Sequence, residues 1–212
     1  MKIFSIILLV FSMVSCSCEK PPKKTNESKF SPFEKKLRSN TKTSEEDEFQ
    51  NAPKPLSKWE AFSLAGKCAQ ESNKLMEKQG FTASCAGGAC RGTYRTCGYS
   101  YNTTQYRFTN IDDARILLIE KALKFAEPFN NEKQIRMFLH NFPFDLNNVE
   151  LSITFTDENG IKLPPPYIST VFNGGGRIFY FQSDYITIHK ERIEEGLKIY
   201  KEYKSNIEKQ KE

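Results

Sequence analysis

The chain has 212 residues and a formal charge of +5, from 31 Lys and Arg against 26 Asp and Glu, with 17 Phe and 9 Tyr among its apolar residues. The basic surplus is interleaved with acids, as in "EKKLRSNTKTSEEDE" and "KERIEEGLKIYKEYK", which marks a solvated surface and argues against a nucleic-acid stripe. The length fits one domain with a sizeable core, and no apolar run reaches the roughly 20 residues that a membrane-spanning helix needs.

Met1-Lys2 places one positive charge before Ile3 to Val14, an almost wholly apolar stretch too short to span a bilayer, as expected of a signal-peptide core. Removing residues 1–15, which carry Lys2 alone, lowers the charge from +5 to +4. Met13-Val14-Ser15-Cys16 resembles the lipobox of bacterial lipoproteins, where the cysteine is acylated and becomes the mature N-terminus. The expectation is therefore a lipoprotein signal peptide over 1–15 and fatty acids, palmitate among them, on Cys16. At about 0.8 kcal/mol per buried CH₂, acyl chains hold a soluble domain on a bilayer without a spanning helix. An ordinary signal peptide, an uncleaved anchor and a buried helix are the competing readings. Ser17 rather than Asp after the cysteine fits the family pattern for the outer membrane of a Gram-negative cell. Cys18 gains no role.

Residues 16–55 read as a lipid-anchored disordered tether, because the isolated Phe30, Phe33 and Phe49 have no period and cannot bury enough apolar area to offset ordering entropy. Residues 56–205 should form one globular domain, and 206–212 a polar tail. Ser57-Lys58-Trp59-Glu60 is a capping box opening a helix over 58–79, with Trp59, Phe62, Ala65, Ala69, Ser72, Leu75 and Met76 along its stripe and Gly80 as its exit. The glycine- and cysteine-bearing stretch 81–98 is expected to be a loop. "YSYNTTQYRF" suits a strand. Thr109 or Asn110 then caps the helix "IDDARILLIEKALKFAE", limited by Pro128. "NNEKQIRMFLHNF" should make a short third helix, and "VELSITFT" alternates as the clearest strand. "PPPYISTVFN", "GGGRIFYFQ" and "DYITIH" supply further strands, and "KERIEEGLKIYKEYKSN" a last helix. The fold class is α+β, with a mainly antiparallel sheet of about four strands and helices on one face.

At "DDARILLIEKALKF", "IRMFLHNFPFDLNNVELSITF" and "GGGRIFYF" the chain resembles a group of uncharacterised bacterial envelope lipoproteins, chlamydia-like ones among them, over about residues 109–182. The shared positions are mostly fold-forming and apolar. The resemblance implies export and architecture, and it brings no catalytic residue.

Four cysteines remain in the expected domain: Cys68, Cys85, Cys90 and Cys97. In an exported protein they read first as two disulfides, with Cys85 joined to Cys90 or Cys97 and Cys68 to the remaining one. One bridge plus free thiols, or a zinc site, are the alternatives, and the spacing lacks the tight knuckle that zinc favours. A thiol enzyme would have to draw its base from His140 or His189, which read instead as a helix-end residue and as the start of the last helix. "GGGR" reads as a hairpin, not a phosphate loop, and "CAGGAC" as a bend within a bridged loop. Asp112-Asp113 and Glu194-Glu195 sit where acids favour helix N-termini. No cofactor or metal is expected. The function expected is a non-enzymatic, lipid-anchored envelope module, with an envelope protein or the cell wall as its partner. A small-ligand module using Tyr99, Tyr101 and Tyr106 is the runner-up, and a thiol-dependent enzyme the third reading.

Overall fold

Ser57 opens the first helix, α1 (Lys58–Glu77), in a computed structural model that describes residues 56–90, 93–183 and 186–210. The leader, Cys16, Cys18 and the tether lie outside the described residues. Both bonds of the capping box are made: Glu60 N–H donates to Ser57 Oγ at 3.3 Å, and Ser57 N–H donates to Glu60 Oε2 at 2.7 Å. The buried stripe is Ala61, Ala65, Cys68, Ala69, Ser72 and Met76. Trp59, expected on that stripe, is 84% exposed, because it stands about 200° round the helix from the buried Ala61, on the side away from the sheet. Gly80 takes the left-handed exit at φ 79°, as its lack of a Cβ allows.

Six strands follow among the described residues: β1 (Thr82–Cys90), β2 (Tyr94–Thr103), β3 (Val149–Phe155), β4 (Thr170–Gly174), β5 (Arg177–Ser183) and β6 (Ile186–Arg192). They form one sheet in sequence order. The expectation of a mainly antiparallel sheet of about four strands holds in its α+β class and in four of the five pairings, but the strand count is too low and one pairing differs. The Gly/Cys stretch is no loop: Thr82–Cys90 pairs with β2 as a full strand, its small side chains giving no pattern that sequence could read. The sheet is also mixed, since β2 and β3 run parallel, and parallel neighbours need a long crossover. That crossover holds α2 (Ile111–Asn131). Asn110 caps it, its Oδ1 accepting from Asp113 N–H at 2.8 Å.

Pro128 does not end α2, which runs one turn further to Asn131 and closes with Glu132 N–H donating to Pro128 O. A proline gives up its own helical bond but still accepts one from beyond, and the burial of Phe125, Ala126 and Phe129 holds the turn in place. The expected third helix is a 3-10 segment, Lys133–Phe138. From β3 to β6 the sheet is an antiparallel meander. Gly175 (φ 58°) and Gly176 (φ 74°) turn the β4–β5 hairpin, as two-residue turns with paired positive φ require. The last helix, α3 (Ile193–Lys209), starts after β6 and carries on past residue 205, so the first residues of the expected tail are helical. His189 belongs to β6 and not to the start of that helix.

Alternation fixes the layers. In β3, Val149, Leu151, Ile153 and Phe155 are buried while Glu150, Ser152 and Thr154 between them are not. The buried set joins Leu117, Leu118, Ala122, Phe125 and Phe129 of α2 in one core. Helix α1 meets β1 and β2, α2 meets β3 and β4, and α3 meets β5 and β6. One face of the sheet is thus covered by helices, and among the described residues no helix covers the other.

Candidate functional site

Three places carry polar chemistry or unusual exposure. The first is the uncovered face of the sheet. Phe172 of β4 and Phe179 and Phe181 of β5 alternate with the inward Val171, Ile178 and Tyr180, so all three rings stand on the open side. Their centroids are 6.0 Å apart for Phe172–Phe179 and 6.4 Å for Phe179–Phe181, with planes near parallel at 21° and 20°. The Phe172 ring lies over Gly174, where a Cβ would come within 2.4 Å of it. Any side chain at Gly174 would push that ring away.

Cations border the ladder. Arg177 pairs with Arg192, and Phe179 with Lys190, across β5–β6, and cross-strand partners share a face. Like charges directly opposite each other destabilise a sheet, and Arg177, Lys190 and Arg192 form no ion pair with a described residue. The rest of the open face is small and polar, with Gly98, Ser100 and Asn102 of β2 paired to Glu150, Ser152 and Thr154 of β3. Aromatic planes, hydroxyls and unneutralised cations together suit a ring-bearing, anionic ligand.

The second place is a buried charge cluster on the helix side. Arg115 of α2 donates from Nε to Glu191 Oε1 at 2.7 Å and from Nη2 to Oε2 at 2.9 Å. It also meets Asp112, and Tyr180 Oη donates to Glu191 Oε1. Burial works to pull the Arg115 pKa down, but the bonds to Glu191 and Asp112 outweigh it and hold it above the usual value. Burial, then the bond to Glu191, raises the Tyr180 phenol. His189 Nε2 lies 3.9 Å from Glu191 Oε2. Among the described residues no buried side-chain nitrogen or oxygen lacks a partner, and the cluster clamps α2 to β5 and β6.

The third place is a cleft of about 330 Å³ between α1 and α2, with Lys67, Cys68, Glu71, Glu127 and Glu132 in its lining. The Cys68 thiol is pushed up to about 11, first by burial and then by Glu132 and Glu71. It is a neutral thiol at ordinary pH and a poor nucleophile. Both histidines have other partners. His140 bonds Arg95 Nη2 at 3.1 Å and Thr93 Oγ1 at 3.4 Å, and His189 faces Glu191. Among the described residues no three His, Cys, Asp or Glu side chains gather as metal ligands.

The two-bridge framework does not fit this geometry. Cys68 and Cys85 carry free thiols. Cys85 and Cys90 lie five positions apart on the one strand β1, about 17 Å at the usual strand rise, against the 4.4–6.8 Å that a disulfide spans. Cys85 pairs with Ser100 on the open face, whereas Cys97 lies opposite Gly88 and is buried, like Cys68, on the helix side. Neither Cys90 nor Cys97 therefore lies on the strand position and face that Cys85 would need. Cys68 and Cys97 share the core.

The tyrosines of the small-ligand reading are core residues. Tyr101 is fully buried, donates to Asn73 Oδ1 at 3.0 Å and stacks on Tyr99, while Tyr106 stacks on Phe81 and Phe108. The open-face ladder was hidden in sequence because Phe172, Phe179 and Phe181 alternate with apolar residues that face the core, so "VFN" and "IFYF" read as uniformly apolar. Paired Arg177 and Arg192 come together only through the register. No family model, curated protein or solved structure matches the chain.

Proposed function

We propose that the protein is a non-enzymatic lipoprotein of the bacterial envelope, acylated at Cys16 and directed to the outer membrane. Its folded domain is an interaction module whose open sheet face takes an anionic cell-wall glycan. The observation that carries the reading is the ladder of Phe172, Phe179 and Phe181 beside Arg177, Lys190 and Arg192. Sugar rings present apolar faces that stack on phenyl rings, and carboxylates or phosphates on such a polymer relieve the Arg177–Arg192 opposition. Support for a binding role over thiol catalysis comes from Cys68, whose raised pKa and acidic surroundings oppose thiolate formation. The leader and Cys16 support the anchor.

Two experiments test the parts separately. Metabolic labelling with a fatty-acid analogue should tag the wild type and Cys18→Ser but not Cys16→Ser; equal labelling of all three removes the anchor. Binding to purified cell-wall glycan should weaken as salt rises from 50 to 500 mM, because exposed cations are screened within about 10 Å at 0.1 M. Salt-independent binding, or none, removes the glycan reading.

A further inference from the structure

The sheet has two edges, and they are built differently. Strand β6 carries Lys190, Glu191 and Arg192, and its pairing with β5 slips between Tyr180 and Phe181 and again before Ser183. Charges of this kind discourage pairing with another chain. Strand β1, TASCAGGAC, has no charged residue and no proline, and Thr82 to Gly88 are all exposed. Among the described residues none pairs with its outer edge. Register shifts between Ala83 and Cys85 and between Ala89 and Cys90 bound a regular run from Cys85 to Ala89. The middle of that run is Gly87.

We infer that β1 is a self-pairing edge, joining antiparallel to β1 of a second copy about a two-fold axis at Gly87. The inference goes beyond the glycan reading and uses a different surface. A two-fold that continues a sheet is perpendicular to it and keeps the open face on one side, so facing residues must share a face. That condition requires positions whose numbers sum to an even value, and the regular run then pairs Cys85 with Ala89, Ala86 with Gly88 and Gly87 with itself. Self-pairing sets the residue at the axis against its own copy and its neighbours against one another. A strand carrying Lys190 and Arg192 would set like charges together, whereas an uncharged strand of Ala, Gly, Ser and Cys meets its copy without repulsion. The second copy is thus the extended partner for which this edge is free of penalty, and the union leaves only the two charged β6 edges outside.

Gly87 is the natural place for the test, because a Cβ there meets nothing within 4 Å. The full chain with Cys16→Ser, examined by sedimentation velocity between about 1 and 200 μM, should shift from monomer to dimer. Gly87→Lys should stay monomeric over that range, as should Gly87→Glu, and an equimolar mixture of the two should form a 1:1 heterodimer. Thr187→Lys on the opposite edge should dimerise like the parent. A nitroxide on Cys85, with Cys18 and Cys90 also changed to Ser, should report a pair whose Cα atoms are about 14 Å apart, from a rise of 3.3 Å and a strand spacing of 4.8 Å. The inference is overturned by a parent that stays monomeric at 200 μM, by a Gly87→Lys variant that dimerises equally well, or by a spin pair beyond about 30 Å. Should the Gly87 variants fail to fold, the parent's sedimentation and the Cys85 distance still decide.

Discussion

Phenylalanine occurs on both faces of the sheet and does different work on each. On the helix side Phe125, Phe129, Phe144 and Phe155 are fully buried, and Phe129 and Phe144 stack at 4.6 Å. On the open side Phe172, Phe179 and Phe181 stack more loosely and are only half-buried. Polar groups divide the same way. Arg115, Glu191, Asn173 and Ser72 are buried and bonded on the helix side, while Arg177, Lys190 and Arg192 stand on the open side without described counter-ions. The helix side holds the fold together, and the open side is free to bind. Substitutions on the first should cost stability, and substitutions on the second should cost binding.

The largest effect expected is at Glu191. Glu191→Ala leaves Tyr180 without its acceptor and the buried Arg115 with only the exposed Asp112, and removing one partner of such a buried pair costs about 3–5 kcal/mol. Urea unfolding monitored by far-UV circular dichroism should show it. A loss under about 1 kcal/mol would mean that the cluster is solvated and the division between faces less sharp than described.

Asn173 comes next. Its Oδ1 accepts from Leu151 N–H at 2.9 Å, and its Nδ2 donates to Leu146 O and Val149 O, so Asn173→Ala should cost about 2–3 kcal/mol through buried groups left unmet. Ser72→Ala should cost about 1–2 kcal/mol by the same reasoning, because Ser72 Oγ ties α1 to Phe125 O of α2 at 2.6 Å.

Cys68 predicts a pH effect. Its folded pKa, about 11, lies above the ordinary thiol value of 9.0, so the folded state holds the proton longer than the unfolded chain. The stabilisation is complete below pH 9 and is lost as pH rises toward 11. The unfolding midpoint of the wild type should therefore fall more steeply over pH 9–11 than that of Cys68→Ala, which removes this contribution and leaves the raised tyrosines in place. Parallel profiles would place Cys68 in contact with water.

Much of the helix side was legible in the sequence. The Ser57–Glu60 box, the Asn110 cap, the alternation of Val149 to Phe155 and the glycine turn before Arg177 each declare themselves through local chemistry that tertiary contacts do not overrule. Strand β1 was missed because Ala, Gly, Ser and Cys are small enough that no period of two emerges from "TASCAGGAC", and only pairing with Tyr94–Thr103 makes it a strand. Trp59 misled in the opposite sense, since its size suggested a core position whereas the first turn of α1 turns Ala61 inward and Trp59 outward. The disulfide framework followed from the count of cysteines, whereas reach depends on faces, and Cys85 stands on the open one. Arg115 and Glu191, 76 positions apart, carry no mark in sequence that would join them.

The smallest effects on stability, and the largest on binding, are expected on the open face, at Phe179 and at Arg177 with Arg192. The most direct test of the open-face account is co-sedimentation of the unlipidated full chain with purified peptidoglycan sacculi, comparing wild type, Phe179→Ala, and Arg177→Ala combined with Arg192→Ala. Phe179→Ala should cost no more than about 1 kcal/mol in unfolding, since its ring is half-exposed, and the arginine pair should unfold with the wild type or slightly above it. Both variants should lose at least tenfold in glycan affinity while Glu150→Ala gains or holds. Wild-type affinity in both variants, or wild-type protein that stays in the supernatant, would contradict the account.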